Sequence, residues 1–312
     1  MITRGTVVKL DRSLPLVELQ DGERVRCEHA TDLVKHGSER AVIGDEVEVS
    51  IPDAHDVCVM DRILPRRTQL TRRDPQERTA GQVMAANFDT VFIVQPMNRL
   101  NLRRLERELV LAFETDADVA VLLTKSDLVN AEERADAVAE VSALVGADVP
   151  VLAISKACAE DIEAVRAMIP DDMTAVLMGQ SGAGKSTLIN QLTGQDVRKT
   201  SEVREVDGKG RHTTVSREII SVPGGGRIVD MPGVRGMGLW DAEQGIAAAF
   251  ADIEQLAEQC RFRDCAHGHE PGCAVTNAIE AGSLSQQRLD SYQSLREELE
   301  RTQARYRQRS WR

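Results

Sequence analysis

Ala175-Val176-Leu177-Met178-Gly179-Gln180-Ser181-Gly182-Ala183-Gly184-Lys185-Ser186-Thr187-Leu188-Ile189-Asn190 decides the fold of this chain. A short apolar run leads into Gly-x4-Gly-Lys-Ser, and an apolar-periodic segment follows. Strand, glycine loop, helix is the order a phosphate-binding loop requires. Positions without side chains let successive backbone N–H groups turn inward around phosphate oxygens, and the positive end of the following helix points at them. The loop residues Gly179, Gln180, Ser181, Gly182, Ala183, Gly184, Lys185, Ser186 and Thr187 are therefore expected to bind a nucleoside triphosphate. Lys185 is expected on the β- and γ-phosphates and Ser186 on Mg²⁺.

Working upstream, Asn87-Phe-Asp-Thr-Val-Phe-Ile-Val-Gln95 reads as a strand buried on both faces, typical of a parallel sheet. Asn101 suits the cap of a helix with Leu102, Leu105 and Leu109 at helical spacing. A second buried strand, 117–123, ends at Thr124-Lys125-Ser126-Asp127. A helix is expected over 131–145, and a third strand, 149–154, ends at Ser155-Lys156. This alternation predicts an α/β fold with right-handed crossovers. Thr-Lys-x-Asp at a strand end suits guanine recognition. The Asp127 carboxylate accepts from the ring N–H and exocyclic amine of guanine, whereas adenine offers an acceptor there and is rejected. The Lys125 stem covers the base or ribose, and the Ser155-Lys156 turn supplies a backbone N–H toward the guanine carbonyl. In most GTPases this base-reading motif follows the phosphate loop; here it precedes it.

Downstream, 207–217 is a polar, glycine-rich loop carrying His212, Thr213 and Thr214. The strand Arg227-Ile-Val-Asp230 runs into Asp230-Met-Pro-Gly233. Asp230 is expected to hold Mg²⁺ through water, Gly233 to offer its N–H to the γ-phosphate, and Thr213 or Thr214 to close the metal shell. Val234 stands where many GTPases carry a water-orienting Gln. Its side chain neither donates nor accepts, so His212 is the candidate to orient or deprotonate the attacking water.

Residues 1–75 contain about five short β-prone runs, with Asp21-Gly22 as a hairpin signal. They suggest a small all-β barrel, an OB-fold with an SH3-like barrel as competitor. The segment holds no Phe, Tyr or Trp, which argues against base stacking there. Arg62, Arg66, Arg67, Arg72 and Arg73 are a candidate phosphate contact or a solvated run. At the other end, Cys260-x4-Cys265-x-His267-x5-Cys273 offers three thiolates and an imidazole, a donor set suited to one structural, tetrahedral Zn²⁺. His269 is an alternate ligand. Helices are expected over 245–259 and 285–306, and the tail brings Arg301, Arg305, Arg307, Arg309 and Arg312.

The chain has 312 residues, 42 % of them hydrophobic, with no signal-peptide pattern and no apolar run long enough for a membrane span. A cytoplasmic protein with reduced thiols is expected. A net charge of −11 argues against a general polyanion binder, so any nucleic-acid surface is a local patch.

The order Thr124-Lys-Ser-Asp127, Ser155-Lys156, 179–186, Gly210-Arg-His-Thr-Thr214, Asp230-Met-Pro-Gly233 resembles the circularly permuted GTPases of the bacterial small-ribosomal-subunit-dependent family (RsgA type). Thr124 departs from the general GTPase pattern, which has Asn there. The resemblance covers essentially the whole chain and implies an OB barrel (1–75), a permuted α/β P-loop GTPase domain (76–244) and a helical zinc-binding domain (245–312). It implies a monomeric GTPase, with Mg²⁺ and GTP or GDP, that acts late in small-subunit maturation on the subunit and its rRNA. It also implies subunit-stimulated hydrolysis, a catalytic His212, and Cys260, Cys265, His267 and Cys273 as zinc ligands. The competing readings are an ATP-dependent P-loop kinase or ATPase, which Asp127 opposes, and a non-enzymatic GTP-sensing checkpoint that binds RNA.

Overall fold

A computed structural model describes residues 1–10, 14–31, 33, 40–52, 57–73, 81–194, 217–231, 239, 242–268 and 270–310. His212, Thr213, Thr214, Gly233 and His269 lie outside these residues. The side chains of Asp230, Arg72, Arg73 and the tail arginines beyond Arg301 are likewise not described.

The N-terminal strands are β1 (Ile2–Leu10), β2 (Leu16–Leu19), β3 (Arg24–His29), β4 (Glu46–Ser50) and β5 (Cys58–Ile63). They pair in the order β1-β2-β3-β5-β4, and β4 returns to β1, which closes the barrel. The β3–β5 pair is parallel and the others antiparallel. One parallel pair inside a closed five-strand circuit is the OB arrangement, which decides against the SH3-like alternative. Alternation along the strands sends Val7, Val17, Leu19, Cys27, Val47, Val49 and Met60 into a common core.

Two of the arginines singled out beside the barrel are ion-paired at its surface: Arg62 with Glu48 at 2.9 Å and Arg67 with Asp89 at 3.1 Å. Arg66 differs from the expectation more sharply. Its guanidinium grips the fully buried Asp45 with bonds of 2.7 and 2.9 Å, and Asp45 also accepts from the Val42 N–H. A buried, bidentate carboxylate–arginine pair is structural, so Arg66 is unavailable to a polyanion.

After the paired strands β6 (Gln69–Arg73) and β7 (Gly81–Ala86), the chain enters α/β alternation. The elements are β8 (Thr90–Pro96), α1 (Leu102–Phe113), β9 (Asp118–Thr124), α2 (Ala131–Val145), β10 (Val151–Ala153), α3 (Ala159–Ala167), β11 (Thr174–Met178), α4 (Lys185–Thr193), β12 (Arg217–Ser221) and β13 (Arg227–Asp230). Strands β10-β9-β8-β11-β13 are parallel neighbours, and β12 lies antiparallel to both β13 and β1, so one sheet continues into the barrel. Every residue of β8 is buried, as its nearly continuous apolar run predicts. The Asn101 cap is as read: its side chain accepts from the Arg104 N–H at 3.0 Å. At α2 the structure adds a capping box between Asn130 and Glu133.

The C-terminal segment folds as α5 (Glu243–Ala249), α6 (Ala251–Ala257), α7 (Ala274–Glu280) and α8 (Gln286–Ser310). The single helix expected over 245–259 is broken at Phe250, whose backbone leaves helical geometry at φ −121°, ψ 37°. The break turns a fully buried ring edge-on to Tyr292 (centroids 5.5 Å apart) and under the Arg288 guanidinium, 4.7 Å away.

By internal packing the chain forms two compact units. One comprises Met1–Thr71, Gln82–Leu100 and Thr115–Gly236. The other comprises Arg72–Gly81, Asn101–Glu114 and Met237–Arg312, so α1 packs with the C-terminal helices despite its place in the α/β sequence.

Candidate nucleotide-binding site and metal cluster

The carboxyl ends of the parallel strands carry the residues the sequence singled out. The loop 179–184 leaves β11, whose sheet neighbours are β8 on one side and β13, ending at Asp230, on the other, and enters α4; β9 lies one strand beyond β8. Ligands of open parallel sheets bind at this edge. Two glycines in the loop are required by space and by backbone conformation. A Cβ on Gly179 (φ +150°) would lie 2.4 Å from the Val94 carbonyl oxygen, and Gly184 (φ +103°) sits against the Thr124 side chain. The Lys185 ammonium is buried and donates to the carbonyls of Gly179 (2.6 Å) and Gln180 (2.8 Å), which holds it inside the loop it serves.

The residues expected to read the base meet the glycine loop directly. The Thr124 hydroxyl donates to the Ala183 carbonyl, and Lys125, in a left-handed conformation, donates from Nζ to the Gly182 carbonyl at 2.8 Å. The hydroxyl at position 124, where the general GTPase pattern has Asn, thus braces the two loops. Ser155 Oγ donates to Asp127 Oδ1 at 3.0 Å, and the Ser126 N–H donates to the Ile154 carbonyl at 3.2 Å. Thr124, Lys125, Asp127, Lys156, Gly184 and Thr187 line one cavity of about 180 Å³. Its apolar walls include Leu128, Ile162 and Leu188. Asp127 is exposed at its mouth, with acceptor capacity left over from the Ser155 bond.

Sequence reading missed Asp161. Its carboxylate accepts the Ser155 N–H at 2.8 Å and so fixes the residue that in turn holds Asp127. An acid in the first turn of the helix after the Ser-Lys turn was the available signal, because N-terminal helical turns favour carboxylates. Leu128, Ile162 and Gln191 line the cavity without having carried any local pattern.

The second site lies in the C-terminal unit. Donor atoms of Cys260, Cys265, His267 and Cys273 all fall within 4.8 Å of one another. Cys260 Sγ lies 3.9 Å from Cys273 Sγ and 3.7 Å from His267 Nδ1, and Cys273 Sγ lies 3.6 Å from that nitrogen. Tetrahedral Zn–S bonds of about 2.3 Å place sulfurs about 3.8 Å apart, so these separations fit a tetrahedral ion. The surrounding loop is braced around the donors. Glu270, held below the usual carboxylate range by backbone N–H groups including its own and those of Ala266 and Gly268, accepts from Ala266 at 3.0 Å and Gly268 at 2.8 Å. Burial opposes ionisation throughout the cluster; donors from Thr276 and His267 lower the Cys273 thiol, while burial raises its neighbour Cys265, so the first proton leaves the pair more easily than the second. A thiol that ionises readily is suited to metal ligation.

Comparison with known proteins places these features. The family model for the RsgA GTPase matches residues 63–240. A protein of Streptomyces avermitilis named small ribosomal subunit biogenesis GTPase RsgA is 44 % identical over 299 residues, covering 95 % of this chain and 80 % of that protein. One of the same name from Methanosarcina acetivorans is 40 % identical over 259 residues, 83 % of this chain and 69 % of the relative. Among solved structures, YjeQ from Thermotoga maritima superposes with a TM-score of 0.71 at 24 % identity, covering 96 % of this chain and 99 % of that one. YloQ, described as a circularly permuted GTPase, gives 0.64 at 24 % identity, with 96 % of each chain covered. These two likenesses speak to the fold.

Proposed function

Since the chain belongs to the RsgA GTPase family, we propose that it is a small-subunit biogenesis GTPase that binds the immature small ribosomal subunit and hydrolyses GTP to GDP and phosphate in response to it. The observation that carries this reading is one cavity shared by Asp127, which selects guanine, and the phosphate loop beside it. On this reading the backbone amides of 179–186 hold the triphosphate tail, and Lys185 exchanges its two carbonyl partners for phosphate oxygens. Lys125 covers the base with its stem, Ser155 and Lys156 border the guanine carbonyl, and Thr187 lies beside the nucleotide. Ser186, Asp230 and one of Thr213 and Thr214 would hold Mg²⁺, which when bound neutralises charge on the β- and γ-phosphates. Gly233 offers its N–H to the γ-phosphate. His212 orients the attacking water or takes its proton, the role a valine at position 234 leaves vacant.

Cys260, Cys265, His267 and Cys273 would hold one Zn²⁺ per chain. Four protein donors leave no open position, so the ion is structural and staples a loop-rich segment. The flanking barrel and C-terminal segment supply contacts to the rRNA. Among the described residues no helix is long and apolar enough to cross a membrane. As a small-subunit factor the protein would work where ribosomes are assembled, in the cytoplasm, and we take it to act as a monomer.

The test is GTP turnover by the purified chain with small subunits, with large subunits and with neither. Stimulation confined to small subunits is expected. GTP binding without stimulation by either would instead favour a passive GTP-sensing checkpoint, and equal affinity for ATP would remove the GTPase assignment.

A further inference from the structure

Between its first two thiol donors the metal cluster displays Arg261-Phe262-Arg263-Asp264. Phe262 is 42 % exposed, whereas Phe88, Phe92, Phe250 and Tyr292 are buried and Phe113 half-buried, so it is the one exposed ring among the described aromatic side chains. The Arg261 guanidinium lies 5.5 Å from its centroid. Arg261 and Arg263 are both exposed, and neither makes an ion pair among the described residues. Of the acids in this loop, Glu270 is engaged by the Ala266 and Gly268 N–H groups, and the exposed Asp264, next to Arg263 in the chain, makes no ion pair among the described residues.

The segment is also held in place. The Arg261 N–H donates to the Gly272 carbonyl at 3.2 Å, a Cβ on Gly272 would already touch the Arg261 stem at 3.2 Å, and Cys260 and Cys265, two of the four clustered donors, stand at the two ends. A ring fixed this way loses little conformational freedom on binding. No other large apolar side chain is exposed in this unit among the described residues, so Phe262 is not part of the contiguous apolar patch that protein docking favours. An isolated ring with the Arg261 guanidinium over one face, the other face unpaired among the described aromatic side chains, and an unpaired Arg263 beside it, on a chain of net charge −11, instead suits a partner that is flat, aromatic and anionic.

We propose that Arg261, Phe262 and Arg263 form an RNA contact in which Phe262 stacks on one unpaired base and the two guanidiniums hold the adjoining phosphates. This rests on the reading of the chain as a small-subunit factor and names the element through which its metal-stapled segment engages RNA. Stacking supplies affinity with little base preference, because every base has a π-face.

The test measures binding of the full-length, zinc-loaded chain, with a non-hydrolysable GTP analogue, to purified small subunits and to a single-stranded uridine decamer. The variants are Phe262→Ala, Phe262→Leu, Phe262→Trp and Arg263→Gln. Loss of one stacked base is expected to weaken binding roughly 5- to 150-fold in both Ala and Leu variants, with Trp close to wild type. The Arg263→Gln loss is expected to shrink as salt is raised, while the Phe262 losses persist. Zinc content and GTP affinity, measured on each variant, are expected to stay unchanged because the ring is at the surface. Wild-type binding by Phe262→Leu beside weakened Phe262→Ala would mean an apolar pocket on a protein and would overturn the proposal, as would unchanged binding by both. Wild-type chain that fails to bind small subunits at all would overturn the functional reading, and this proposal with it.

Discussion

Asp127→Asn tests the base-reading assignment at the atom that carries it. Asp127 is exposed in the cavity mouth, and one of its roughly four acceptor positions is taken by Ser155 Oγ at 3.0 Å. That leaves room for the two donors guanine presents, its ring N–H and its amine. A hydrogen bond to an ionised group contributes a net ~1.5–3 kcal/mol, so converting this carboxylate to an amide puts about 3–6 kcal/mol at risk. The corresponding loss of GDP affinity is roughly 10²- to 10⁴-fold. Xanthine keeps the ring N–H but replaces the amine with a carbonyl, which matches the one acceptor and one donor of an amide. Titration calorimetry with GDP and xanthosine diphosphate should therefore show the variant losing the first and gaining the second. Undiminished GDP affinity would refute the argument. Equal loss of both ligands would refute it too, since Asp127 would then be holding the loop and not the base.

Asp161→Ala should free the Ser155 N–H and narrow the preference for GTP over inosine triphosphate, with Asp161→Asn retaining most of it; competition binding reads the ratio, and an unchanged ratio would reduce Asp161 to a helix-capping role. Arg288 bonds Glu106 at 2.9 Å and Asp252 at 2.6 and 2.9 Å, so Arg288→Met strands a buried carboxyl whose pKa burial already pushes up. A destabilisation of about 3–5 kcal/mol in urea unfolding is expected, much of it recovered in Arg288→Met/Glu106→Gln; a double variant no better than the single would contradict this. Glu298 is held below the usual carboxylate range by the bidentate Arg107 pair, both bonds 2.7 Å, against an opposing effect of burial. Its contribution is present above the ordinary glutamate value and lost as pH falls through the lowered one, so Glu298→Gln should be less stable than wild type at pH 7 and converge with it in acid. Chelation should lower the unfolding midpoint of the C-terminal unit while GDP affinity stays within about twofold, a separation that fluorescence-detected melting and nucleotide titration can resolve.

The sequence by itself determined every feature whose cause lies within one element or one turn. The nearly continuous apolar run of β8, the Asn101 cap, the glycine loop ahead of α4 and the Cys/His spacing all depend on chain neighbours, and each was legible there. The shuffled order of the nucleotide motifs was legible too, because order is a property of sequence. Only the tertiary structure decided which atoms meet across long separations. Thr124 and Ala183 are 59 residues apart, Asp127 and Ser155 are 28, and their bonds exist because the sheet sets β9, β10 and β11 in a particular lateral order. The same physics explains the local readings that failed. Arg66 looked like a surface cation until folding placed Asp45 beneath it, and the expected helix over 245–259 broke because burying Phe250 against Tyr292 and Arg288 outweighed one more turn of backbone hydrogen bonds. Neighbouring residues fix what a segment is able to form, whereas the partner of a buried charge or ring is chosen only when distant segments share one core.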